Sequence, residues 1–330
     1  MLKTNQDGKL WMVTQPDHSQ VAGFIAAHWG NARFTRPGFF STETVMDPER
    51  LRAEVILAIA EHDNGWWEWE AIPDLSAADG FPPGLGEVLQ NQQAGMDRWR
   101  SGLTRFPRRS LVNLLISSHA YWLYAARALQ NPEPGFNHPL FWKGAPEKLC
   151  PGSNEAPLAF MAELQKKQLG WIEELRADPE TASWVEPASL APLQRLIQLC
   201  DGISLALCSA LIPSKTGVSK GLGDDSYELH DVPRRNWMDR CTITVTPRGD
   251  RRIELNPYPF DIDPLPVVVP TRIVELPVES PAHFQSLVAH VRIPVNPVSV
   301  CVCEMILKGG VCAKQAQSIL VMDDSPQSRS

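Results

Sequence analysis

The sequence predicts an α+β protein, with a mainly α-helical N-terminal region over residues 1–213 followed by a small antiparallel β unit over residues 226–295. Three observations carry this expectation. Apolar residues recur at helical spacing in the first part, most clearly Leu51, Val55 and Ile59. Helix start and stop signals bracket several such runs. After the segment 214–225 (SKTGVSKGLGDD), rich in Gly, Ser and Lys, the pattern changes to alternation. That segment reads as a linker or mobile loop.

Asp17, with Gln20 three residues on, reads as a capping box that opens a helix running to about Trp29. Asp47-Pro48 combines a cap with proline at the first helical position. The helix it opens carries His62 on the same face as Ile59, and Asn64-Gly65 suits a left-handed C-terminal cap. Further helices are expected from Ser110 to Leu129, Pro157 to Arg176 and Leu190 to Ile212, which together make an all-helical core. In the β unit, Thr242–Thr246 and Arg251–Leu255 flank a turn at Pro247–Asp250, and Val267–Val269 and Thr271–Leu276 read as two more strands. Residues 296–330 fit neither pattern and are expected to be an irregular tail.

At 330 residues the chain has room for two domains. Its net charge of −7 argues against binding a phosphate backbone, so no nucleic-acid partner is expected. Met1 to Asp17 is polar and lacks the apolar core of a signal peptide. The longest apolar stretch, Leu199–Ile212, is too short to span a bilayer. A cytoplasmic protein with no membrane partner is the expectation. The seven cysteines (Cys150, Cys200, Cys208, Cys241, Cys301, Cys303, Cys312) are odd in number and scattered, and read as reduced thiols. Cys301, Cys303 and Cys312 have part of a zinc site's character, but three ligands at that spacing are better read as plain thiols.

The chemistry centres on His62-Asp63. An imidazole and a carboxylate at a helix end can converge on one ion, and such N/O donors suit Mn, Fe, Zn or Mg. An isolated pair is more often a helix-terminal His beside a solvated Asp. Asp201 weighs against that bland reading, since it is the only charged residue in LIQLCDGISLALCSALI. A buried carboxylate needs a cation, a metal or a hydrogen-bond network. Gln194, Gln198 and Ser204 form a polar stripe that would serve as such a network. His18 shares a face with Val21 and Ile25, and His119 shares one with Val112, Leu115, Ile116 and Leu123, so both point inward. His119 is either a core residue or part of the site.

The order His18, His62-Asp63, Asp201, each on its own helix, resembles the HD-domain superfamily of metal-dependent phosphohydrolases. EHDNG (Glu61–Gly65) stands where that family has its His-Asp-x-Gly motif, and LCDGIS matches its final-Asp helix. The resemblance covers about residues 10–212. It implies that His18, His62, Asp63 and Asp201 hold a divalent metal, and that His119 holds a second ion or acts as general acid or base. There are departures from the family pattern. The gap from His18 to His62 is long, and Trp66 replaces a Lys that often follows the motif in signalling phosphohydrolases. Across nearly the whole chain, QPDHSQVAGFIAAHWG, EHDNGWWEW, SSHAYWL, LCDGISLALC and NPYPF resemble an uncharacterised, mainly bacterial domain-of-unknown-function family, which implies no activity.

The resulting expectation is a metal-dependent hydrolase of a small phosphoester-like substrate, using one or two divalent ions and a metal-activated water. A di-iron oxygenase is the rival from the same helical scaffold, since myo-inositol oxygenase is similar in it. A binding protein with an inert metal site is the third reading. His28 and His138 are weaker candidates for extra ligands, whereas His230, His283 and His290 lie in the β unit and are expected to be ordinary. Trp66, Trp67 and Trp69 either wall a pocket or pack in the core. Arg105, Arg108 and Arg109 either meet an anionic substrate or lie in a solvated loop. Gly221-Leu222-Gly223 lacks the context of a nucleotide loop.

Overall fold

The computed structural model describes residues 1–128, 155–208, 225–275 and 295–302, apart from 7, 72, 77–78 and 249–251, together with 280, 282–284 and 286. The chain is α+β, but it opens with strands rather than a helix. Strands β1 (Leu2–Gln6) and β2 (Lys9–Val13) form an antiparallel hairpin. The expectation of a mainly helical N-terminal region had no strand there. The strands are short and mixed in polarity, and they become legible only once β2 has a partner.

Helix α1 (Gln15–Ala27) follows directly. Its cap is Thr14 rather than Asp17: Thr14 Oγ1 accepts from the Asp17 N–H at 3.0 Å and donates to Asp17 Oδ2 at 2.5 Å. The acid therefore sits in the first turn, where it also faces the positive end of the helix dipole. Helix α2 (Pro48–Ala60) starts as its sequence dictates, with Asp47 Oδ1 accepting from the Arg50 N–H at 3.1 Å. The two helices pack closely, since a Cβ on Gly23 of α1 would stand only 2.4 Å from the Ala60 Cβ of α2. Only glycine allows that approach.

Short helices α3 (Trp67–Ala71), α4 (Leu85–Gln90) and α5 (Gln92–Gly102) lead to the long α6 (Ser110–Ala128). Then come α7 (Glu155–Ala177) and α8 (Pro187–Cys208). Helix α8 is buried almost throughout from Leu196 to Leu207, as its apolar run requires. It packs against α1, α2 and α6, and α6 packs on α7.

The remaining strands are β3 (Tyr227–Pro233), β4 (Arg240–Pro247), β5 (Arg252–Asn256), β6 (Leu265–Pro270), β7 (Arg272–Glu275) and β8 (Val295–Val302). They build two sheets. One is three-stranded, in the order β1-β2-β7, with Leu10 opposite Val274. The other is five-stranded, in the order β3-β4-β5-β8-β6, antiparallel except where β8 runs parallel to β5. Strand β8 replaces the irregular tail expected from residue 296 as far as residue 302, and residues 303–330 lie outside the described residues.

Strand β6 shows why the large sheet matters for the site. Leu265, Val267 and Val269 are buried while Val268 between them is exposed, the period-2 pattern of a half-buried strand. That inner face packs on α1, and β3 packs on α8. Ile243, Val245, Ile253 and Leu255 join the same core as Ile25, Val55, Leu115 and Ile203. The core is therefore not all-helical. Sheet and helices share it, and the sheet backs the two helices that carry His18 and Asp201. Among the described residues, no helix is long and apolar enough to cross a membrane.

Candidate metal centre

His18 lies in the first turn of α1, His119 midway along α6 and Asp201 within α8, all buried. His62 and Asp63 lie not on the last turn of α2 but in the turn after it, because α2 ends at Ala60 with Glu61 as its cap. Asn64–Trp66 then forms a 3-10 turn in place of the expected left-handed cap. Gly65 is needed there for a different reason: a Cβ on it would come 2.0 Å from the Arg98 carbonyl oxygen of α5. The fold groups His18, His62 and Asp201 as one possible donor set, with Asp63 beside His18 and His119 near Asp201 but outside that set.

The hydrogen bonds fix the tautomers of two imidazoles. His62 Nδ1 lies 2.8 Å from the Ile59 carbonyl oxygen, which can only accept, so Nδ1 carries the proton. Ser204 Oγ donates its one proton to the Asp201 main-chain oxygen at 2.8 Å, so it accepts from His18 Nδ1, also at 2.8 Å. Each ring therefore has its Nδ1 committed and turns its Nε2 toward carboxylates. His18 Nε2 is 2.8 Å from Asp63 Oδ2 and 3.7 Å from Asp201 Oδ1. His62 Nε2 is 3.3 Å from Asp201 Oδ1 and 3.8 Å from Asp63 Oδ2, and makes no aligned hydrogen bond. An imidazole nitrogen facing a carboxylate at these distances needs a cation between the two, either a proton or a metal ion.

The residues fit a metal ion. Bonds of about 2.0–2.3 Å place neighbouring ligand atoms about 2.8–3.8 Å apart in octahedral or tetrahedral geometry. The four separations above fall in that range. One donor atom each from His18, His62 and Asp201 lies within 4.8 Å of the others. The buried His62 Nε2 lacks a hydrogen-bond partner that an ion would supply. Fixing the other ring nitrogen by a carbonyl or hydroxyl is the usual support of a ligating histidine.

The electrostatics point the same way. Burial pushes His62 down, but Asp63 and Asp201 outweigh it and raise its pKa to about 9. Burial pushes Asp201 up, but His62, His119 and His18 outweigh it and hold its carboxyl well below the usual carboxylate range. The alternative of a carboxylate satisfied by its polar stripe does not hold. Gln194 Nε2 donates to Ser118 Oγ, Gln198 Oε1 accepts from Arg195, and Ser204 bonds the main chain. None of the three bonds the Asp201 carboxylate. Burial and Asp201 push the adjacent Cys200 thiol up, so it stays an inert thiol.

His119 Nε2 lies 3.8 Å from Asp201 Oδ2, and its ring stands edge-on to His62 and Trp99 with centroids 4.9 and 5.8 Å away. Its Nδ1 is buried without a hydrogen-bond partner, so the carbonyl that a core histidine would need is missing. Burial lowers its pKa to about 4, which keeps the ring neutral at physiological pH.

His18, Asp63, His119 and Asp201 line a cavity of about 60 Å³ whose walls include Trp66, Leu85, Val88, Trp99, Leu123 and Leu205. That is room for an ion and several waters, since one water needs about 10–15 Å³. Trp66 packs edge-on against Trp99, whereas Trp67 is exposed and Trp69 lies outside the cavity under the Arg98 guanidinium. Leu85, Val88 and Trp99 had no signal in the sequence that set them apart from ordinary core residues.

Other sequence candidates lie elsewhere. His28 pairs with Asp261 at 2.8 Å, and His230 on β3 sits near Glu228 of the same strand and Thr242 of β4. His283 does not line the cavity, and His138 and His290 lie outside the described residues. Arg105 pairs with Glu68 and Arg109 with Glu54, while Arg108 lines a separate surface cavity with Glu174 and Asp178. Cys200, Cys208 and Cys241 are free thiols, and the side chains of Cys150, Cys301, Cys303 and Cys312 lie outside the described residues, as does Gly221-Leu222-Gly223.

No curated protein and no solved structure matches the chain. A family model described as "Protein of unknown function (DUF3891)" matches residues 1–276, a span that holds all five clustered residues. The chain belongs to the DUF3891 family.

Proposed function

We propose that this protein is a metal-dependent hydrolase of a small phosphoester-like substrate, built on an HD-domain-like helical scaffold. The observation that carries the reading is the pair of buried imidazoles whose Nδ1 atoms are committed and whose Nε2 atoms face Asp63 and Asp201, with His18, Asp63 and Asp201 also lining the cavity. His18, His62, Asp63 and Asp201 would hold the ion. A divalent ion there would polarise the ester and make a nearby water acidic enough to attack.

The chain's own residues do the rest. Ile59 and Ser204 hold the two imidazoles in one tautomer and orientation. Trp66, Trp99 and the aliphatic walls limit water and strengthen charge interactions within the cavity. His119, neutral and lining the same space, can steady the leaving oxygen with a hydrogen bond from its ring N–H, which it keeps, while that oxygen takes its proton from water as the P–O bond breaks. His119 beside Asp201 Oδ2 also favours a second reading, in which it helps to hold a second ion in a di-iron oxygenase.

The test is metal analysis and electron paramagnetic resonance of protein purified without oxygen, with turnover of a phosphoester panel. The expected result is a bound divalent ion, phosphoester hydrolysis, and loss of both in Asp201→Asn. A protein that binds none of Mn, Fe, Zn or Mg overturns the reading. A coupled di-iron signal with oxygen uptake and no hydrolysis selects the oxygenase.

A further inference from the structure

The charges around the cavity narrow the substrate of this centre. Asp63 and Asp201 supply two negative charges, which balance one divalent ion, and the imidazoles are neutral when they ligate. No Lys or Arg is among the described residues that line the cavity. Among the described side chains, the arginines nearest the cavity are engaged elsewhere. Arg98 lies 3.6 Å over the Trp69 ring, Arg105 pairs with Glu68, Arg109 pairs with Glu54, and Arg195 donates to Gln198 and the His230 carbonyl. Leu85, Val88, Leu123 and Leu205 line the space beside Trp66 and Trp99, and its other polar walls, Gln15, Gln92 and Tyr124, are uncharged.

A phosphomonoester dianion would enter this site with two charges and meet no excess positive charge. Burying charge without a partner is costly, and sites that handle such dianions clamp them with Arg, Lys or extra metal. We propose that the centre takes a phosphodiester-like monoanion with short apolar substituents, rather than a phosphomonoester dianion. The small cavity and its aliphatic walls suit compact alkyl groups next to the ion. This inference rests on the hydrolase reading and names its substrate class.

The full chain loaded with one metal is titrated by calorimetry with diethyl phosphate and with ethyl phosphate at pH 8. There the monoester is a dianion, since its second pKa is about 6. Metal stoichiometry is measured on the same sample. Diethyl phosphate is expected to bind at least tenfold more tightly. Leu123→Lys, at a partly exposed position of the cavity wall on α6, is expected to reverse that order with unchanged metal stoichiometry. Tighter binding of ethyl phosphate by the unsubstituted protein overturns the inference alone. So does uptake of two ions, which would leave the centre positively charged. Failure to bind metal, or to bind either phosphate when loaded, overturns the hydrolase reading and takes this inference with it.

Discussion

Two imidazoles with one nitrogen already committed leave little choice at the other. In the metal-free protein the cation between His62 and its carboxylates is a proton, and the raised pKa of about 9 expresses that. The sign follows from linkage: a raised pKa gives stability that is complete below the unfolded value of about 6.5 and lost as pH rises through about 9. A metal must displace this proton. Metal affinity should therefore fall about tenfold per pH unit below 9, with close to one proton released per ion. Titration calorimetry in buffers of different ionisation enthalpy reads that proton, and a pH-independent affinity would contradict the arrangement. His119 gives a second prediction. His119→Gln keeps one donor and similar size, so the thermal midpoint should stay within a few degrees while turnover falls about 10²–10⁴-fold. A fully active variant would return His119 to the core. These residues were legible in the sequence because His and Asp in apolar stretches are conspicuous. The cavity walls were not, because Trp99, Leu85 and Val88 are the same residue types a core uses anyway.

At the scale of elements, the site depends on how closely α1 approaches α2. Gly23 lies one turn beyond His18 along α1, and Ala60 ends α2 just before His62. In Gly23→Ala the new methyl meets the Ala60 Cβ, which cannot swing aside, so the helices must separate. Overpacking of this kind costs about 1–3 kcal/mol. It should also weaken metal binding, since His18 moves away from Asp63 without any ligand being replaced. Denaturant unfolding and metal titration of the same variant check both effects, and a loss of stability with full metal affinity would refute the coupling. The helices themselves were readable from local signals, such as Asp47-Pro48 before α2 and the apolar run of α8. The hairpin β1–β2 was not, since its register with β7 is set by a partner near the far end of the described chain. Strand β8 escaped for the same reason: its pairing with β5 and β6 is wholly non-local.

At the scale of the molecule, the five residues come from four separate segments: α1, the turn after α2, α6 and α8. The large sheet backs α1 and α8 through β6 and β3, and the site sits where α1, α2, α6 and α8 pack together. An ion bound there links these segments in the folded state and has no comparable set of ligands in the unfolded chain. Such a ligand stabilises by mass action, by about 4 kcal/mol at a thousandfold excess over its Kd. For a chain of this size that is a rise of several degrees in the unfolding midpoint. Removing metal by chelation should lower the midpoint by the same amount, and restoring Mn, Fe, Zn or Mg should recover it. Asp201→Asn keeps shape but removes a charge and a ligand, so its midpoint should not respond to added metal. His230→Ala, on the sheet and away from the centre, should respond as the unsubstituted protein does. Calorimetric scans of the three proteins with and without metal decide the matter. If Asp201→Asn gains as much from metal as the others, the ion binds elsewhere and the convergence of these side chains has a purely structural cause.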